Sequence, residues 1–347
     1  MVIFLPLVLS QMDTITHLTL GACIAEAMVG KKIGKPALIV GAIAQSVPDG
    51  DFITGFWMDP PASLLAHRGF SHSFLFLLIA TPILALLVNR WKHFRQVSFK
   101  GWMLLIGIEI LTHLFLDAFN AYGIGWFEPF SHIRISFNIL FVADPFFTIW
   151  SLIACLALFF THKHNKKRML WVRFSLLLTA LYMSYCYFNK LKIEDDFADT
   201  LEKKGIVISK HFTTPTPFNN WLWYVVAYRD SGFYIGHHSV FDKNDDIDLN
   251  YFPMNNSLLK EAPNQRCVEQ LKIFSQDFYT AEKWNDTLVL NDLRFGQMMG
   301  WQNPQSRFVF HYILYPQTDN TMVVQRGRFQ NWNRATIRQF IRRIEGN

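Results

Sequence analysis

His67-Arg68-Gly69-Phe70-Ser71-His72-Ser73 sets two imidazoles five residues apart, with a guanidinium and two hydroxyls, directly ahead of the apolar run Phe74–Val88. Polar groups crowded against a membrane-like segment are costly unless they bind something. Four more short stretches repeat the pattern: Asp13-Thr14-Ile15-Thr16-His17, Pro48-Asp49-Gly50-Asp51, Thr112-His113-Leu114-Phe115-Leu116-Asp117 and Asp144-Pro145-Phe146. Each carries His or Asp, and each touches an apolar run. Together they supply His17, Asp49, Asp51, His67, His72, His113, Asp117 and Asp144, a set of imidazoles and carboxylates suited to divalent metal.

Taken singly, most of these signals are ordinary. His113 and Asp117, four residues apart, share one helix face and can reach one ion, but a buried His–Asp hydrogen bond would use the same spacing. Glu109, one turn earlier, is placed to orient His113 from behind. Pro-Asp-Gly-Asp is a common solvated turn, although its two carboxylates can also face one point. Asp144 before Pro145 reads equally as an N-cap followed by proline at the first helical position. His17 alone would more often be a satisfied core histidine. The combination is far less ordinary than its parts, and it predicts one metal site.

Those residues need elements to carry them. Mean hydropathy is only mildly positive, yet residues 1–190 are mostly apolar runs, whereas 191–347 read as a soluble domain. The runs are Leu18–Val29, Pro36–Val47, Phe74–Val88, Trp102–Phe119, Phe146–Phe160 and Met169–Phe188. Pro36–Val47 falls short of the roughly 20 residues needed to span a bilayer, so it and its predecessor are expected to form a shallow hairpin. The expected fold class is an α-helical integral membrane domain of about six apolar helices, some not fully spanning, followed by a small α+β soluble domain. Residues 1–11 form an apolar extension, 12–190 carry the metal site, and 191–347 form the second domain. Within the latter, Trp221–Tyr228 and Gly232–Phe241 read as strands around the turn Arg229-Asp230-Ser231, with Phe308–Leu314 and Met322–Gln325 as further strands. Leu258–Lys260 and Val268–Ser275 read as short helices, and Asn333–Ile344 as a terminal amphipathic one.

The formal charge of +6 does not call for nucleic acid. Much of it lies in Asn89–Lys100 and His162–Arg168, links between apolar runs, where basic residues mark cytoplasmic loops. With Lys31–Lys35 and those two links placed in the cytoplasm, all the His- and Asp-bearing ends fall on the opposite side. The second domain then follows extracytoplasmically. Cys23, Cys155, Cys186 and Cys267 offer neither a disulfide framework nor a cysteine-based zinc site. Met1–Ser10 lacks the basic flank and cleavage signature of a signal peptide.

The Asp-x-x-Thr-His start, the Pro-Asp-x-Asp turn, the His-Arg-Gly-x-Ser-His-Ser stretch, the His-x-x-x-Asp pair followed by Asn120-Ala121-Tyr122-Gly123, and Asp144-Pro145 resemble the membrane-bound metal-dependent hydrolases of the bacterial inner membrane, also described as LexA-binding. The resemblance covers roughly residues 12–160. Pro217-Phe218-Asn219-Asn220-Trp221 resembles the extension of longer members. Departures are the eleven residues before Met12 and Ser71 where threonine is common; neither removes a ligand. The resemblance implies hydrolysis at bound metal.

The donor set suits one or two divalent ions, zinc first, with manganese or iron as alternatives. Catalytic roles are expected for Arg68, with Arg134 as a second anion-stabilising group, and for Asp51 or Asp117 as acceptors of a water proton. A site at the membrane boundary suits an amphipathic substrate, such as a lipid-linked phosphoester, with membrane lipid as the surrounding partner and a protein partner available to the second domain. Two other classes use the same residues: a metal or proton transport site, and a membrane scaffold with a structural metal.

Overall fold

A computed structural model describes residues 6–314, 329 and 332–346, with only the backbone described for 6–13 and His93. The strand expected at Met322–Gln325 and the side chain of Asp13 lie outside the described residues. The chain divides into two compact units, one of residues up to Phe56 with Ala66–Phe137 and Val142–Tyr185, the other of Trp57–Leu65, Asn138–Phe141 and the residues from Cys186 onward.

The first unit is helical. Helix α1 (Pro6–Ile33) is followed after a left-handed Gly34 by α2 (Pro36–Gln45), and the two pack as a close hairpin. Glycine permits that approach: a Cβ at Gly21 would lie 2.6 Å from the Gly41 carbonyl, and one at Gly41 would meet the Gly21 carbonyl in turn. A 3₁₀ turn (Pro48–Phe56) and α3 (Pro60–Ala66) lead to a second 3₁₀ turn (Phe70–His72). Then come α4 (Phe74–Asn89), capped by Ser73, and α5 (Phe99–Ala118), capped by Ser98. Buried residues of α1, α2, α4 and α5, among them Ala25, Ala44, Ala80, Trp102, Ile106 and Ile110, form one core. Helix α6 (Pro145–Phe160) closes on the other face of α1 through Ala22, Cys23, Ala154 and Leu158.

The six expected apolar runs fall on α1, α2, α4, α5, α6 and α7 (Lys167–Lys203), but a count of six membrane-crossing helices is not confirmed. Among the described residues, α5 and α7 are long and apolar enough to cross a membrane, and the bent pair Pro60–His72 and Phe74–Asn89 makes a third if taken as one span. Ten residues in α2 and sixteen in α6 rise only about 15 and 24 Å, short of a hydrocarbon core of about 30 Å. Helix α7 is in turn longer than the run Met169–Phe188 predicts, reaching Lys203. Its later turns are held by the i,i+4 pairs Lys190–Glu194 and Lys192–Asp196.

In the second unit, β1 (Lys210–Pro215), β2 (Leu222–Arg229), β3 (Gly232–Ser239) and β4 (Asn250–Pro253) form an antiparallel sheet in sequence order. Strand β2 alternates as a buried central strand should. Trp223, Val225 and Ala227 pack with Ile193, Phe197 and Leu201 of α7, while Tyr224 and Val226 join Phe212, Phe233, Phe278 and Leu293. After a 3₁₀ turn (Asn256–Glu261) and α8 (Gln265–Phe274), β5 (Tyr279–Trp284), β6 (Thr287–Gln297) and β7 (Phe308–Ile313) make a second antiparallel sheet. Helix α9 (Arg334–Ile344), capped by Asn333, ends the described chain. Both expected strands around Asp230 are present, as is the amphipathic terminal helix.

Candidate metal centre

Each ligand-bearing segment is short and locally fixed. Asp49 and Asp51 ride the 3₁₀ turn that leaves α2, His72 ends the turn ahead of α4, and His113 and Asp117 occupy one face of α5. Arg68 adopts a left-handed backbone with φ 57°, a conformation that costs on the order of 1 kcal/mol or more for a bulky residue. Its amide donates to Asp51 Oδ2 at 2.8 Å, and its carbonyl accepts from the Gly125 amide at 2.9 Å. Those two bonds hold the chain reversal that turns His72 inward.

Four of the eight expected ligands converge. One donor atom from each of Asp49, His72, His113 and Asp117 lies within 4.8 Å of the other three. The Nε2 atoms of His72 and His113 are 3.1 Å apart. Asp117 Oδ2 lies 3.3 and 3.5 Å from them, and Asp49 Oδ1 3.6 and 3.5 Å. Ligands about 2.0–2.2 Å from a tetrahedral ion are about 3.3 Å from one another, so these spacings fit a single ion. His72, His113 and Asp117 are fully buried, while the Asp49 side chain is 30 % exposed and forms an open edge. Beside it, a Cβ on Gly50 would meet nothing within 4 Å.

Proton placement supports the same fit. Ser71 Oγ donates to Asp51 Oδ2 at 2.9 Å, and His72 Nδ1 lies 2.9 Å from Ser71 Oγ and 3.2 Å from Asp51 Oδ2. These acceptors assign the proton to Nδ1 and leave the Nε2 lone pair facing the cluster. Burial would raise Asp51, but hydrogen bonds from His67 and His72 hold its carboxyl well below the usual carboxylate range.

The other expected residues take different places. Asp51 stands behind His72 rather than in the four-atom group. His67 Nδ1 donates to Asp51 Oδ1 at 2.8 Å from a side chain 39 % exposed. His17 stacks on His113 with centroids 4.0 Å apart, and its Nε2 lies 3.3 Å from Asp117 Oδ1. Asp144 caps α6 instead: Oδ1 accepts the Phe146 and Phe147 amides, and Oδ2 accepts the Tyr182 hydroxyl at 2.9 Å. Burial pushes Asp144 up to about 6 against those hydrogen bonds.

Arg68 is buried, with Nη2 3.0 Å from Asp117 Oδ1 and Nη1 donating to Asn120 Oδ1 at 2.7 Å. Its guanidinium also lies over the Tyr122 ring. Arg134 does not face the cluster with a spare fork; it donates to the His67 and Gly123 carbonyls. Glu109 does not orient His113, because both its carboxylate oxygens and His113 Nδ1 are buried without a hydrogen-bond partner among the described residues. Ser71 and Asn120 bond to Asp51, His72 and Arg68 around the cluster, and the sequence offered them only as parts of longer motifs.

Another buried polar pair lies away from the cluster. Arg168 donates to both Glu26 oxygens, at 2.7 and 2.6 Å, and to the Leu158 and Thr161 carbonyls. It therefore does not belong with the solvated loop charges among which the sequence places it.

Comparison with known proteins adds the context. The family described as YdjM inner membrane protein matches residues 12–193, a stretch that includes all eight expected ligands. The Escherichia coli K12 inner membrane protein YbcI is 30 % identical over 122 residues, which is 35 % of this chain and 69 % of that protein. The uncharacterized protein YfhP of Bacillus subtilis 168 is 28 % identical over 150 residues, 41 % of this chain and 45 % of its own length. No solved structure matches.

Proposed function

Because the chain belongs to the YdjM inner membrane protein family, we propose that it is an inner-membrane metalloenzyme that hydrolyses a phosphoester at the Asp49–His72–His113–Asp117 centre. The observation that carries this reading is the convergence of two Nε2 atoms and two carboxylate oxygens, with Asp51 and Ser71 fixing the tautomer of His72. Two nitrogens and two oxygens suit zinc, with manganese or iron next. A bound ion of this kind supplies a hydroxide-like nucleophile near neutral pH and polarises a phosphoryl oxygen.

The surrounding side chains have separable tasks in this reading. Asp117 divides its oxygens, Oδ2 toward the cluster and Oδ1 toward Arg68 and His17. Asp51 is engaged by His67, the Arg68 amide, Ser71 and His72, so it orients rather than accepts a proton. His67, half exposed and hydrogen-bonded to Asp51, is the group placed to carry a proton to solvent. Arg68 meets developing negative charge on the substrate. The positive links around Asn89–Lys100 and His162–Lys167 orient the centre and the second domain away from the cytoplasm.

A structural metal in a membrane scaffold is favoured by one observation, the engagement of Arg68 with Asp117 and Asn120. Arg68→Lys separates the two readings. Lysine keeps the charge but loses the planar fork. For an enzyme, metal content is retained and phosphoester turnover falls by about 10²–10³. Full turnover removes Arg68 from the mechanism. Loss of metal favours the scaffold.

A further inference from the structure

The metal cluster is flanked by apolar side chains on backbone that is not α-helical. Phe52, Ile53 and Phe56 follow Asp51 on the same 3₁₀ turn and are exposed, Phe56 by 70 %. In the segment that follows α5, Phe127, Phe130 and Ile133 are exposed as well, Phe130 by 83 %. Both segments are tied to the His67-Arg68 step. Asp51 accepts from His67 and from the Arg68 amide, the Gly125 amide donates to the Arg68 carbonyl, and Arg134 donates to the His67 carbonyl. Over Phe52–Phe56 there is no charged residue, and the one acid in 124–133, Glu128, accepts from His132 Nδ1 at 2.8 Å.

Exposed aromatic side chains this dense mark a surface that something covers. The chain itself indicates what. Phe70, 48 % exposed, precedes α4, whose Leu78, Ile79, Ile83 and Leu87 are exposed along a helix that forms part of a candidate membrane span. Phe70 thus joins the cluster-bearing turn directly to a helix of a candidate membrane span, and the segments bearing Phe52–Phe56 and Phe127–Ile133 are bonded to the same His67-Arg68 step. Turn backbone cannot enter the hydrocarbon core, where every amide needs an internal partner. Aromatic rings on such backbone favour the headgroup layer.

We propose that Phe52, Phe56, Phe70, Phe127, Phe130 and Ile133 form a rim seated in the phospholipid headgroup layer, through which the open Asp49 edge receives a bilayer-resident phosphoester. This rests on the metal-centre reading for its chemistry. The seating of the rim is independent of it. The substrate class is then an amphiphile whose phosphoester lies at headgroup depth while its chains stay in the leaflet.

The test uses the full chain in nanodiscs of phosphatidylethanolamine and phosphatidylglycerol. With the native cysteines replaced by alanine, a nitroxide at position 56 or 130 reports collisions with oxygen and with a water-soluble nickel chelate, against a control at position 245. The rim predicts oxygen-dominated collisions at 56 and 130 and nickel-dominated ones at 245. Nickel-dominated collisions at all three overturn the proposal. Shielding of 56 and 130 from both reagents also overturns it and assigns the surface to a protein partner.

A second arm keeps the native cysteines and compares Phe56→Glu/Phe130→Glu with the parent protein. Metal content and turnover of a short-chain soluble phosphoester should be unchanged, while turnover of a bilayer phosphoester falls at least about tenfold. Equal loss on both substrates overturns the entry route. Absence of turnover by the parent protein on either substrate would count against the hydrolase reading, and the collision data would still decide the rim.

Discussion

At the scale of residues, the decisive division is between atoms that face the cluster and atoms that hold those in place. The sequence placed Asp49 and Asp51 in one tight bend and treated both as ligands. On a 3₁₀ turn, with 3.0 residues per turn, positions two apart differ by about 240°, so their carboxylates diverge. Asp49 faces His72 and His113, while Asp51 passes behind His72. Spacing alone could not reveal this, because it depends on the turn being 3₁₀. The i,i+4 pair His113 and Asp117 was legible for the opposite reason, since α-helical geometry follows directly from the apolar run around it. Asp51→Asn is expected to leave the fold intact and lower metal affinity by about 10–100-fold, the range found when an outer carboxylate is removed. Titration of the apo-protein against a competing chelator measures it. An affinity equal to that of the parent would show that the Nδ1 partner of His72 is immaterial.

At the scale of elements, irregular turns carry as much of the site as helices do. The cap read at Asp144 is present, its Oδ1 accepting the Phe146 and Phe147 amides, while Ser73, Ser98 and Asn333 cap their helices without having been singled out. Strands β1, β4, β5 and β6 were not singled out. Strand β6 contains Asn291, Asp292 and Arg294, all buried, with Arg294 Nη2 2.7 Å from Asp292 Oδ2, and such polar residues hide a core strand from hydropathy. Glu26 and Arg168 similarly looked like separate charges, because a sequence separation of 142 conceals a buried bidentate pair. Breaking such a pair typically costs about 3–5 kcal/mol, since it strands the remaining charge.

Strand β3 and helix α9 meet through Arg343, which forks onto Asp242 at 2.7 and 2.8 Å and donates to the His237 carbonyl. Burial and the Arg343 charge hold His237 down at about 3, and bonds from His238 and Arg343 outweigh burial to hold Asp242 low. The unfolded chain therefore binds protons that the folded unit excludes, His237 between about pH 6.5 and 3 and Asp242 below about 3.8. Stability of this unit is expected to fall as pH drops through that window. Thermal unfolding in detergent across pH 7.5–4 should show it, and His237→Gln should flatten the upper part. A profile indifferent to that substitution would contradict the assignment.

At the scale of the molecule, one end of the chain builds a polar centre inside an apolar bundle, and the other builds two small sheets. The shift in composition near residue 190 made this legible, but α7 runs through the expected boundary because its apolar face continues as Ile193, Phe197 and Leu201. The orientation inferred from the basic links predicts that, in intact cells, an impermeant thiol reagent labels a cysteine at position 245 and not one at 165. The reverse pattern would place the centre on the cytoplasmic side. The most direct measurement of the central claim is elemental analysis of the purified protein beside His72→Ala and Asp144→Ala. One divalent ion is expected in the parent, because the four converging donor atoms suit a single ion. His72→Ala should lose it, because His72 supplies one of the two facing Nε2 atoms. Asp144→Ala should keep it and lose only about 1 kcal/mol of stability as a missing N-cap. A metal-free parent, a metal-bound His72→Ala, or an Asp144→Ala that folds without metal would contradict the account.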